Sequence, residues 1–201
     1  MIRIAIQNKG RLMDPSLEFL KSIGLKFGKN ERELISKCEG DDVEFLYVRN
    51  GDIPVYVEQG VADFGIVGEN VLTERKSKLK TVKRLGFGEC SLVVAVPEGS
   101  DLSSVEDLEG ERIATSYPNT LRSFLRERGI KSSIIDIRGS VEIAPSLNLA
   151  DSVCDITQTG NSLIENGLRV IGKIFNSEAV VVKCPNLSRL RWQDFEESLT
   201  K

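Results

Sequence analysis

The sequence predicts an α/β protein of two lobes, with mostly parallel sheets and a ligand cleft between the lobes. Three observations carry this. Short apolar runs suited to strands alternate with helix-like segments, the β-α-β-α order that builds parallel sheets. Charged or small-polar loops follow those runs one after another, on the side of an open sheet where ligands usually bind. The pattern restarts near residue 92, and late strands are available to return to the first half. The lobes are therefore expected at residues 1–91 plus 175–201 and at residues 92–174, and a cleft between lobes is a natural ligand site.

The elements follow in order. Met1–Ile6 (MIRIAI) reads as a strand that passes through Lys9-Gly10-Arg11 into a helix opened by Asp14-Pro15 and ended by Gly24. Leu34-Ile35 marks a short strand and Val43–Val48 (VEFLYV) a stronger one, closed by Arg49-Asn50-Gly51-Asp52. Ile53–Gly60 is a short helix with Pro54 in its first turn. Ala62–Val67 is a strand ending in Gly68-Glu69-Asn70, so three successive strand ends present Lys9/Arg11, Arg49/Asp52 and Glu69/Asn70. Residues 71–84 carry a basic run, expected as a solvated helix and loop. Ser91–Val96 is a buried strand, Ser103–Leu108 a helix signal and Arg112–Thr115 a strand. A helix over Thr120–Arg128 ends at Gly129, and Ile134–Ile137 is a further strand. A helix over Val141–Leu147 ends at Asn148, a residue that tolerates the left-handed conformation. Val170–Phe175 and Ala179–Lys183 are strands, and Leu190–Leu199 a terminal helix.

Composition narrows the chemistry. The 201 residues carry a net charge of −3, which argues against a nucleic-acid surface. No apolar run approaches the roughly 20 residues of a membrane span, and the N-terminus lacks a signal-peptide layout, so a cytoplasmic protein without membrane contact is expected. Cys38, Cys90, Cys154 and Cys184 form no CxxC and read as buried free thiols. The chain has no histidine, which removes imidazole bases and imidazole metal sites. No protein metal site is expected. A metal would be held by oxygen, which favours magnesium carried with a substrate phosphate.

The most informative stretch runs from Glu142 to Leu168. The apolar run Val153-Cys154-Asp155-Ile156 leads into Thr157-Gln158-Thr159-Gly160-Asn161-Ser162, and Leu163-Ile164 begins a helix stopped at Gly167. Strand, small-polar loop and helix start suit a phosphate, with backbone N–H groups, hydroxyl donors and a glycine that permits close approach. Asp155 stands at the loop mouth, where a carboxylate would accept bonds from sugar hydroxyls. From the loop alone an ordinary turn with a helix cap fits equally well, because these are also common cap residues.

Five segments in order then resemble the short form of ATP phosphoribosyltransferase: KGRL at Lys9–Leu12, VRNGDIP at Val48–Pro54, ADFGIVGEN at Ala62–Asn70, ATSYPN at Ala114–Asn119, and GSVEIAP…LADSVCDITQTGNSL from Gly139 to Leu163. The resemblance covers essentially the whole chain and implies a periplasmic-binding-protein-like fold. It implies the first step of histidine biosynthesis, in which adenine N1 of ATP attacks C1 of phosphoribosyl pyrophosphate (PRPP) and expels pyrophosphate with magnesium present. Carried across, Thr157, Gln158, Thr159, Gly160, Asn161 and Ser162 would cradle the 5′-phosphate, and Asp155 and Glu142 would hold the ribose hydroxyls. Lys9, Arg11, Arg32 and Arg49 would be catalytic, facing the pyrophosphate and the ATP phosphates. Gly10 would lie in the ATP loop, Tyr117 would line the nucleotide pocket, and Asp52 and Glu69 would orient the arginines or the adenine. Gln158 and Ser162 depart mildly from the family pattern and still supply polar atoms. The short form also implies a homodimer of catalytic chains and a histidyl-tRNA-synthetase-like regulatory subunit in a hetero-octamer. Two rivals fit less well. A nucleobase-salvage phosphoribosyltransferase usually has two adjacent acids before its loop, whereas Cys154 precedes Asp155 here. A solute-binding or sensing module would carry a signal peptide or a fused DNA-binding helix pair.

Overall fold

The computed structural model describes residues 1–28, 33–40, 42–186 and Glu197. Arg32, and all of the expected Leu190–Leu199 helix except Glu197, lie outside the described residues. The elements are β1 (Ile2–Gln7), α1 (Met13–Ser22), β2 (Ile35–Lys37), β3 (Val43–Val48), α2 (Ile53–Glu58), β4 (Phe64–Gly68), α3 (Glu69–Arg75) and β5 (Lys80–Arg84). They continue as β6 (Cys90–Pro97), β7 (Arg112–Thr115), α4 (Pro118–Arg128), β8 (Ser133–Asp136), β9 (Ser152–Thr157), α5 (Asn161–Glu165), β10 (Leu168–Ser177) and β11 (Ala179–Lys183). The chain forms two compact units, Met1–Gly88 with Glu178–Lys201, and Glu89–Ser177.

The first unit is a six-stranded sheet in the order β2-β3-β1-β4-β11-β5. Its central strands are covered on both faces, so they read as near-continuous apolar runs. Ile4, Ile6, Phe45, Phe64 and Ile66 join Leu20 of α1 in one cluster, while Ala5, Leu46 and Val67 pack with Ile53 and Val57 of α2 in another. Gly65 is what lets α2 come so close: a Cβ there would stand 2.6 Å from Ile53 Cγ2 and 2.9 Å from Val57 Cγ2.

The second unit is a five-stranded sheet in the order β10-β6-β9-β7-β8. Leu92, Val94 and Cys154 pack against Leu121, Phe124 and Leu125 of α4, while Val93, Ala95 and Val153 pack with Val141, Ala144 and Leu163. Arg112 grips both Asp151 oxygens, at 2.7 and 3.0 Å, and so ties the start of β7 to the start of β9.

Three expectations need correction. The sheets are mixed rather than mostly parallel: β1–β3, β1–β4, β7–β8 and β7–β9 are parallel and the other five pairings antiparallel. Parallel neighbours need a long crossover, whereas β10 and β11 return to earlier strands without one. The helix expected over Val141–Leu147 is only a 3-10 turn, Val141–Ile143, followed by further turns. Pro145 supplies no N–H to extend a helix. The second half of the basic run is strand β5, not loop. It lies at the sheet edge, where charged side chains guard against unwanted pairing. Asn148 does take the left-handed conformation, φ +56°. All four cysteines are buried free thiols. Among the described residues no helix is long and apolar enough to cross a membrane.

Candidate active site

In the first unit β1, β3 and β4 run parallel in register, so their carboxyl ends lie along one end of the sheet. Lys9-Gly10-Arg11, Arg49–Asp52 and Glu69-Asn70 therefore emerge together. The first of these turns is braced from within: Gln7 Nε2 donates to Lys9 O at 2.5 Å, and Leu12 N–H donates to Gln7 Oε1 at 3.1 Å. Gly10 has φ +109°, and a Cβ there would meet Gln7 Nε2 at 2.5 Å, so the turn demands glycine on both counts. Arg11 donates through Nη1 to Gly88 O at 2.5 Å. Lys9, Arg49 and Asp52 are exposed.

Two residues at this end escape sequence reasoning. Arg84, part of the basic run, pairs with Glu69 and donates to Glu178 Oε1 at 2.7 Å. Glu178 also accepts from Gly86 N–H at 2.8 Å, and its carbonyl accepts from Glu69 N–H at 3.0 Å. Glu69 is therefore held by Arg84. The antiparallel return of β11 and β5 brings these distant residues together, and no local spacing records it.

In the second unit β7 and β9 are parallel, so Tyr117 and Thr157–Ser162 follow strand ends on the same side. Thr115 links the two: its hydroxyl donates to Cys154 O at 2.6 Å and accepts from Tyr117 N–H at 2.8 Å. Within the loop, Thr157 Oγ1 accepts from Gly160 N–H at 2.8 Å, and Gly160 takes φ +82°. Gln158 Nε2 donates to Glu89 O at 3.3 Å. The helix beyond is only five residues, Asn161–Glu165, so the loop amides and hydroxyls rather than a long helix dipole would supply the attraction for an anion. Thr159, Asn161 and Ser162 are exposed.

Asp155 sits one turn of chain before the loop, near the end of β9. Its carboxyl is pushed up to about 6, chiefly by burial, against a bond from Ile156 N–H that favours ionisation, and with a further rise from the charge of Glu142. The 3-10 turn that carries Glu142 packs on β9. A half-buried acid beside a second acid, next to an amide- and hydroxyl-lined loop, suits a ligand that presents hydroxyls or a cation to the acids and a phosphate to the loop.

The fold puts the chain in the class of two-unit α/β folds. It resembles the periplasmic aliphatic sulphonate binding protein SsuA from Escherichia coli, with a TM-score of 0.65 at 13% identity over 99% of this chain and 71% of that one. It is far more similar to the solved ATP phosphoribosyl transferase (HisG:HisZ) complex from Thermotoga maritima, with a TM-score of 0.85 at 33% identity, covering 100% of this chain and 97% of that chain. The family model for ATP phosphoribosyltransferase (HisG) matches residues 49–201. Curated relatives of that name include one from Cytophaga hutchinsonii, 47% identical over 94% of this chain and 66% of the relative. Another, from Parabacteroides distasonis, is 45% identical over 99% of this chain and 70% of the relative. The chain belongs to the ATP phosphoribosyltransferase family, a group of pentosyltransferases. It spans about two thirds of the length of these curated relatives.

Proposed function

We propose that the chain catalyses transfer of the phosphoribosyl group from PRPP to N1 of ATP, the first step of histidine biosynthesis, as a cytoplasmic catalytic subunit. The N1 lone pair forms the bond to C1, and the C1–O bond breaks with its electron pair leaving on pyrophosphate. N1 carries no proton, so the step asks for positioning and charge stabilisation rather than a strong base, in keeping with a chain that has no histidine. The observation that carries the reading is the Thr157–Ser162 loop, with Gly160 at φ +82° and the half-buried Asp155 beside it.

In this reading the second unit takes PRPP. Thr157, Gln158, Thr159, Gly160, Asn161 and Ser162 hold the 5′-phosphate, and Asp155 and Glu142 accept bonds from the ribose hydroxyls. The first unit takes the ATP and pyrophosphate side through Lys9, Gly10, Arg11 and Arg49, with Arg32 added from the family resemblance. Arginine's fixed fork suits phosphate oxygens. Tyr117 lines the nucleotide pocket, and Glu69, held by Arg84, and Asp52 orient the arginines or the adenine. Magnesium arrives on the substrate's phosphate oxygens. The residues fit such a cation, because Asp155 is a half-buried acid raised chiefly by its desolvation and then by the charge of Glu142, and a positive charge in front of it would favour its ionised form. When bound, the ion neutralises the charge that builds on the departing pyrophosphate.

The proposed assembly pairs two catalytic chains and adds a histidyl-tRNA-synthetase-like regulatory subunit in a hetero-octamer. Support comes from the likeness to a chain solved in the Thermotoga maritima HisG:HisZ complex. The test mixes the purified chain with ATP, PRPP and magnesium, with and without a candidate regulatory subunit, and assays pyrophosphate and the N1-ribosylated nucleotide. Formation of both supports the reading. Their absence in every mixture overturns it.

A further inference from the structure

The second unit has a cavity that the proposed reaction does not use. It encloses about 610 Å³ beside the second half of α4 and the connection into β8. That volume falls in the usual range of small-molecule sites, roughly 300–1,000 Å³. Among the described residues Arg122, Arg126 and Lys131 line it, no acidic residue does, and Leu125, Ile130 and Ile134 supply apolar surface.

Its place in the fold separates it from the phosphate loop. Strands β7, β8 and β9 are parallel, the cavity wall at Gly129–Ser132 leads into the start of β8, and the loop at Thr157–Ser162 follows the end of β9. The two regions therefore stand at opposite ends of one sheet.

The wall is held in shape before any ligand arrives. Gly129 ends α4 at φ +70°, with its N–H on Arg126 O at 3.1 Å. Lys131 N–H donates to Glu109 Oε2 at 2.7 Å, Lys131 O accepts from Gly110 N–H at 2.7 Å, and Ser132 Oγ donates to Leu108 O at 2.6 Å. The one carboxylate bonded to this segment is thus engaged with a backbone amide. A third arginine of the helix end, Arg128, stacks on the Phe124 ring at 3.8 Å and does not line the cavity. Three cations over an apolar floor, on a braced wall, select for a negative head on an apolar body.

We propose that this cavity is a second binding site, for a small organic anion whose phosphate or carboxylate meets Arg122, Arg126 and Lys131 while its apolar body covers Leu125, Ile130 and Ile134. The inference does not rest on the proposed reaction.

The experiment titrates 1-naphthyl phosphate into the ¹⁵N-labelled full chain and follows backbone amide shifts. Saturable shifts are expected at Gly129, Ile130, Lys131 and Ser132, with affinity falling at least tenfold in the R126E/K131E chain and unchanged in G160V. Inorganic phosphate and neutral 1-naphthol are each expected to bind at least tenfold more weakly than the probe. Should charge reversal disturb folding, the milder R122A/K131A chain, with the parent's melting temperature, is expected to lose at least threefold in affinity. The proposal is overturned by an absence of saturable shifts at 129–132, by equal binding of naphthol, or by affinity that survives these substitutions. Shifts confined to 157–162 would also overturn it, while leaving the proposed PRPP site standing.

Discussion

Asp155 is a carboxylate held against its own ionisation. Burial and the charge of Glu142 push it from 3.8 up to about 6, so the folded chain keeps a proton that the unfolded chain has released between those values. Stability from this group is therefore present below about pH 4 and lost as pH rises through about 6. The shift amounts to about 3 kcal/mol at most. Asp155→Asn is expected to stabilise the ligand-free chain by about 1–3 kcal/mol at pH 7 and by little at pH 4. Urea unfolding at the two pH values checks this, and an equal effect at both would contradict it. PRPP affinity should rise with pH through about 6, as the carboxylate that accepts the ribose hydroxyls forms. Arg49 and Lys78 make a second comparison, since both are exposed. Arg49→Ala should cost roughly 10- to 100-fold in turnover as a lost transition-state charge contact, and Lys78→Ala should leave turnover unchanged. Equal losses would remove Arg49 from the site.

At the scale of elements, the packing of α2 on β4 sets where the Arg49–Asp52 loop ends. A methyl group on Gly65 would press on Ile53 and Val57, so Gly65→Ala should lower stability by about 1–3 kcal/mol, read as a lower urea midpoint. The Glu69–Arg84–Glu178 cluster is different in kind. Arg84 is largely exposed, so Arg84→Ala should change stability by less than about 1 kcal/mol while freeing Glu69. A larger loss by the same measurement would show the cluster to be structural. These contrasts explain what could be read from the chain beforehand. VEFLYV and SLVVAV declare themselves because strands covered on both faces are apolar throughout. Lys80–Arg84 hides as a strand because an edge position tolerates charge, and Val141–Leu147 imitates a helix until Pro145 is weighed. The Thr157–Ser162 loop is legible as a candidate site because strand, small-polar loop and helix start are contiguous. The Arg84 pairings are not, because they depend on β11 returning from the far end of the chain.

For the whole molecule, two α/β units each bring their candidate site loops to the carboxyl ends of parallel strands, although neither sheet is parallel throughout. Apart from the early β2–β3 pair, the antiparallel pairings that sequence reasoning did not anticipate join late segments to earlier ones. Family membership then links the motifs scattered over both units in a way no single loop does. At this scale the proposed regulatory subunit should raise turnover at saturating substrate without being needed for PRPP to reach the Thr157–Ser162 loop. A loop that responds to PRPP only in the presence of the subunit would contradict that division of roles. The most direct measurement titrates PRPP with magnesium into the labelled chain and into G160V. A Cβ at Gly160 meets open space, so the variant should fold at a cost of about 1–2 kcal/mol for its left-handed backbone. The account predicts saturable amide shifts at 157–162 in the parent chain and none in folded G160V. Equal PRPP affinity in the two chains, or a parent loop unmoved at saturation, would contradict it.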